Sequence, residues 1–106
     1  MNINIYTKNF DLKDVEEEYI KEKIQKIKKY SLIEDRQVVD VKIEKNTHHE
    51  KGEDSYIMSI DLNVKSKLIY IEKSSNNVFT VTDMCDEVLV SEITQYKEIL
   101  NSKKRK

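Results

Sequence analysis

The sequence predicts an α+β domain in the order β-α-β-β-β-α, a four-stranded mixed sheet with two helices packed on one face. Three observations carry that prediction. Apolar and polar residues alternate near the N-terminus and in three runs between residues 37 and 71, and apolar residues recur at helical spacing over 14–30 and 78–100. The first two strands are separated by a helix, whereas the later strands follow one another through short links. A helical crossover favours parallel, right-handed pairing of strands one and two, and short links favour antiparallel meandering through strands three and four.

The first strand is read from Ile3 and Ile5, which alternate with Asn2, Asn4 and Tyr6. Over Asp14–Tyr30, Val15, Tyr19 or Ile20, Ile24 and Ile27 stand three to five residues apart with no breaker, an amphipathic helix of four to five turns. Its charges complement the helix dipole, with Asp14, Glu16, Glu17, Glu18 and Glu22 in the first half and Lys21, Lys23, Lys26, Lys28 and Lys29 mostly in the second. Val39, Val41 and Ile43 alternate with Asp40, Lys42 and Glu44 in the second strand. The polar segment 46–55, which holds Gly52, reads as a hairpin loop. Met58, Ile60, Leu62 and Val64 mark the third strand, and the run Leu68–Ile71 continues as a fourth that ends near the polar stretch 74–77. Val81, Cys85, Leu89, Ile93, Tyr96 and Leu100 then form one apolar stripe of a second helix, with Asn76 or Asn77 as its cap. The expected organisation is one domain over residues 1–101 and a basic tail over 102–106, with no internal repeat.

Composition removes several classes of function. The 106 residues contain one Gly and no Pro, where average usage would supply roughly 7 and 5. A dinucleotide fingerprint or a P-loop, each of which needs several glycines, is therefore impossible. Cys85, the only cysteine, makes no internal disulfide, and the chain reads as intracellular. No apolar run approaches the roughly 20 residues of a membrane span, and the first ten residues lack the features of a signal peptide. A soluble, cytoplasmic protein is expected. Charged residues reach 37%, yet 19 basic and 20 acidic side chains leave a net charge of −1, so no global field steers the protein to nucleic acid.

Catalytic candidates are few. His48 and His49 are adjacent rather than at the i, i+4 spacing of a helical metal pair. Cys85 lies on the apolar stripe and reads as a core residue. The carboxylates of Glu16, Glu17 and Glu18, and of Asp83, Asp86 and Glu87, have no neighbour that would separate an acid from a base. No enzyme activity, cofactor, metal or small-molecule substrate is expected. What remains is surface binding by lysine: Lys23 and Lys26 share one flank of the first helix, Lys29 or Lys28 continues it, and Lys42 projects from the polar side of the second strand.

These positions carry a resemblance. MNINIYTKNFDL at 1–12, EYIKEKIQKIKKY at 18–30 and VVDVKIEKNTH at 38–48 resemble the opening strand, first helix and second strand of the short ribosome hibernation promoting factors and ribosome-associated inhibitors, also known as sigma-54 modulation proteins. NNVFTVTD at 76–83 and TQYKEIL at 94–100 resemble the start and end of that family's second helix more loosely. The resemblance implies a fold like double-stranded-RNA-binding domains and binding in the decoding groove of the small ribosomal subunit. There the protein would contact 16S rRNA and overlap the mRNA and tRNA sites, inhibiting translation during starvation or stationary phase. The resemblance implies RNA contacts at Lys23, Lys26, Lys42, Lys45 and Lys97, to which the helix flank adds Lys29 and the basic tail Lys103, Lys104 and Arg105 as expected contacts. Longer members add a dimerisation domain, which a chain ending at Lys106 is expected to lack, so a monomer off the ribosome is expected.

The second helix departs from the family. Where the family carries several basic residues, this chain has Val88, Ser91, Gln95 and Ile99, with Glu92 nearby, and residues 78–101 hold one lysine against five carboxylates, a net of −4. Two readings follow. Either RNA is gripped mainly by Lys23, Lys26, Lys42 and Lys45 with the basic tail, or the scaffold has diverged into a protein-interaction module that uses Val88, Val90 and Ile99.

Overall fold

The structure is a computed structural model and describes residues 1–48 and 53–104. The elements are β1 (Asn2–Lys8), α1 (Asp14–Gln25), a 3-10 turn (Lys26–Lys29), β2 (Val38–His48), β3 (Glu53–Val64), β4 (Lys67–Ser75) and α2 (Val78–Lys104). They form one sheet in the order β1-β2-β3-β4. β1 runs parallel to β2, with Ile5 beside Val41. β2 and β3, then β3 and β4, pair antiparallel, with Ile60 between Val41 and Ile71. The mixed sheet and element order are those the sequence predicts.

Strand alternation decides which face is covered. Val39, Val41 and Ile43 of β2, Met58, Ile60 and Leu62 of β3, and Ile69 and Ile71 of β4 are buried on one side. Against them pack Ile20, Ile24 and Ile27 from α1 and the following turn, and Val81, Cys85, Leu89 and Ile93 from α2. α1 meets β1 and α2, while α2 lies over β3 and β4. The Cys85 thiol faces the Met58 carbonyl oxygen at 3.8 Å, and burial pushes it up to about 11. It is the small core residue that its place on the stripe implies.

Four local expectations need correction. The loop predicted over 46–55 is mostly strand, because β2 continues to His48 and β3 begins at Glu53. Residues 49–52, with His49 and Gly52, lie outside the described residues. The first helix does not run unbroken to Tyr30: it is α-helical to Gln25 and tightens into the 3-10 turn. Val15 is 62% exposed. Five residues at 100° each place it about 140° around the helix from Ile20, off the buried stripe. α2 also continues past the apolar stripe to Lys104.

Helix starts follow capping chemistry. The Glu16 carboxylate accepts the Lys13 backbone N–H at 2.9 Å, and Asn77 supplies the expected cap of α2 by accepting the Phe79 and Thr80 N–H groups at 2.8 and 3.2 Å. The β3–β4 turn, by contrast, uses Lys65 and Ser66 at φ 49° and 72°, where a two-residue hairpin favours Asn or Gly. Tertiary contacts hold it. The Tyr96 hydroxyl donates to the Lys65 carbonyl at 3.0 Å, and the Lys65 ammonium meets Glu34 at 3.0 Å. Ser66→Gly relieves the left-handed strain and is expected to raise stability by about 1 kcal/mol, read as a higher midpoint in thermal unfolding.

Candidate nucleic-acid interface

The end of α1 builds the main lysine cluster. Lys23 lies in its last turn, and Lys26 and Lys29 lie in the 3-10 turn, where residues three apart stack above one another. The three therefore form a row along one flank while Ile24 and Ile27 face the core. Lys26 and Lys29 are exposed, and the Lys29 ammonium sits 5.3 Å from the Tyr30 ring centroid.

Across from this row stands α2, and it answers with acid. The Tyr19 hydroxyl donates to Asp83 Oδ1 at 2.6 Å, and the Lys23 ammonium reaches the same oxygen at 3.4 Å. Lys23 also lies 5.6 Å from the Tyr19 ring centroid, and Phe79 packs edge-on against that ring at 5.0 Å. The Asp83 charge, helped by Tyr19, holds the Lys23 ammonium above its ordinary pKa, and donation to Asp83 raises the Tyr19 phenol. One turn further on, Asp86 has a buried Oδ1 without a hydrogen-bond partner among the described residues. Burial pushes its carboxyl up, and Lys23 and Lys26 pull it back down.

Asp86 supplies a stability prediction. A carboxyl whose pKa is raised on folding disfavours the folded state wherever it is ionised, so the penalty is full above its folded pKa and disappears as pH falls below the unfolded value. Asp86→Leu is expected to stabilise the protein at neutral pH by about 0.5–1 kcal/mol after discounting for solvent screening. The gain should shrink in acid, as parallel thermal melts at pH 7 and pH 3 would reveal.

The other implied contacts are dispersed. Lys42 is exposed on the uncovered sheet face, in a cross-strand row with Tyr6, Ser59 and Glu72. Lys45, three residues on, has the opposite parity and lies on the helix side, where it meets Asp54 at 3.4 Å and stands 5.9 Å from the Tyr56 ring centroid. Lys97 is half-buried on α2. Lys103 and Lys104 belong to the last turn of α2, with side chains outside the described residues, as Arg105 is altogether. The fold thus brings Lys23, Lys26 and Lys29 together and puts Lys42 on the other face. Sequence reasoning missed the Tyr19–Asp83–Lys23 cluster. Its only available signal was Tyr19 at i−4 from Lys23, since Asp83 arrives from 64 residues away.

Of the departures on α2, Val88 is partly buried against the core, Val90 is half-buried, Ser91 and Gln95 are exposed, and Ile99 is 48% exposed. Among the described residues no helix is long and apolar enough to cross a membrane.

A mixed sheet backed by two helices, with a lysine row at the mouth between them, defines a small α+β domain built to present a charged helix pair. The chain belongs to the family described as sigma 54 modulation protein / S30EA ribosomal protein, which it matches over residues 3–101. This is a family of ribosome-associated proteins. The fold is similar to that of a ribosomal subunit interface protein from Coxiella burnetii, with a TM-score of 0.75 at 14% identity, covering 92% of this chain and 99% of that one. It is also similar to the N-terminal domain of Protein Y from Thermus thermophilus, with a TM-score of 0.67 at 14% identity and coverage of 91% and 99%. No curated protein matches the chain in sequence.

Proposed function

We propose that this chain is a ribosome hibernation factor that binds 16S rRNA in the decoding groove of the small ribosomal subunit. There it overlaps the mRNA and tRNA sites and inhibits translation during starvation or stationary phase. The observation that carries the reading is the family match across residues 3–101; the row of Lys23, Lys26 and Lys29 along one flank supports it. Residues 1–101 form the ribosome-binding domain, and the protein is a cytoplasmic monomer until it meets the subunit. Recognition is of phosphate and shape, because lysines on a helix flank neutralise the backbone without reading base edges. Lys42, Lys45, Lys97 and the basic end at Lys103, Lys104 and Arg105 add contacts around that centre, with Lys42 serving a second wall of the groove.

Sedimentation with purified small subunits tests this. The protein should co-sediment at low salt and dissociate steeply as salt rises, since each neutralised phosphate releases counterions; failure to co-sediment at low salt rejects the reading. A second reading, a protein-interaction module, draws on the exposure of Ile99 and the acidic character of α2. It requires a partner complex insensitive to salt and no affinity for the subunit.

A further inference from the structure

We infer that Asp83 is a built-in competitor for RNA phosphate: its carboxylate occupies, between the Tyr19 hydroxyl and the Lys23 ammonium, the place that a phosphate oxygen takes when the face shared by α1 and α2 binds RNA. The inference rests on the reading of the chain as a ribosome binder and adds how that site is regulated.

Three features point to it. The contact is tertiary, since both donors come from α1 and converge on one oxygen of α2, at 2.6 Å and 3.4 Å. Hydroxyl and ammonium groups are also the side-chain donors that proteins use for nucleic-acid phosphates. Second, Asp83 lies beyond the first turn of α2, which contains no acidic residue, so its charge does not serve the helix dipole. Third, the pair is accessible: the Lys23 and Asp83 side chains are 29% and 50% exposed. A water-exposed ion pair is weak enough to be exchanged.

Asp86 extends the device. Its partnerless Oδ1 lies one turn further along α2, and its carboxyl feels Lys23, Lys26 and Lys29. In the free protein two carboxylates therefore face three lysines. RNA approaching that face must take Lys23 from Asp83 and meets a field already partly cancelled. Affinity is held below what the lysine row alone would give.

The test is a double-mutant cycle read by fluorescence anisotropy with a labelled A-form RNA duplex at low salt. Asp83→Asn keeps an oxygen for the Tyr19 hydroxyl and removes the charge, and it should tighten binding by about fivefold. In a Lys23→Gln background that gain should vanish. Glu92→Gln makes the same charge change elsewhere on α2 and should change affinity less than twofold in either background. The inference is overturned if Asp83→Asn gains no more than Glu92→Gln, if the gain survives without Lys23, or if Asp83→Asn binds the duplex no better than the parent protein. Circular dichroism melts of each variant identify any that fail to fold, and Asp83→Ser, which also removes the charge while leaving Tyr19 and Lys23 intact, then provides a second entry to the cycle with the same expected sign. Small-subunit sedimentation separates the two claims: a positive duplex cycle with no co-sedimentation rejects the ribosome reading and retains the competitor, and the converse does the opposite.

Discussion

Replacing Lys23 and Lys26 together by Glu is expected to weaken association with the small subunit by about a hundredfold near 0.1 M salt. The size follows from losing two charge-assisted contacts to phosphate and placing two negative charges where phosphates approach. The salt dependence should fall too, with the slope of log affinity against log salt becoming less negative by between one and two. Lys23→Glu also sets a second carboxylate beside Asp83, so Lys23→Gln with Lys26→Gln is the matched neutral pair. It should show the same reduction in slope with a smaller loss of affinity. A double variant that binds as the parent protein does would remove the end of α1 from the interface. Equilibrium binding by sedimentation across a salt series gives both quantities.

Leu89→Ala is expected to cost about 3 kcal/mol of stability and to lower the thermal midpoint by about 15 °C. Leu89 is fully buried in the middle of the α2 stripe, one turn from Cys85 and one from Ile93. The sheet beneath it is hydrogen-bonded on both sides of β3, and the helix runs on for more than two turns in each direction. Little of the surroundings can collapse into the space left by the side chain, which keeps the cost above the roughly 2 kcal/mol floor of the usual range. Truncating Ile99, at 48% exposure, should move the midpoint by no more than a degree or two. Calorimetry of the two variants distinguishes a core that depends on the α2 stripe from one that does not.

The sheet was legible because each strand has one dry face. Val39, Val41 and Ile43 can be buried together only in one register, and a one-residue slip would expose all three. The parallel β1–β2 pair followed from the helix between them, since a crossover returns to the sheet in one hand. Local chemistry was read less well where tertiary contacts override it. Lys65 and Ser66 carry no turn signal, yet Tyr96 and Glu34 hold them at positive φ. Val15 has the spacing of a core residue relative to Tyr19 but not relative to Ile20, and only the packing decides which of the two leads the buried stripe. The lysines of the site could be named from the resemblance, but their electrostatic partners could not. Asp83 and Asp86 meet the lysines only through the packing of α2 on α1, and nothing in a linear pattern links residue 83 to residue 19.

A net charge near zero therefore hides an arrangement rather than an absence. The lysines at the end of α1 are grouped, and so are the carboxylates of α2, and the fold sets one group against the other. On the proposed reading, that opposition makes RNA binding sensitive to small changes in charge where the two helices meet.

A density map of the purified small subunit with this protein bound tests the central claim most directly. The account predicts density for the domain in the groove between head and body, over the mRNA and tRNA sites, with Lys23, Lys26 and Lys29 turned toward the rRNA backbone and Lys23 parted from Asp83. Density at another site on the subunit, or in the groove with the α1 lysine row turned to solvent, would contradict it.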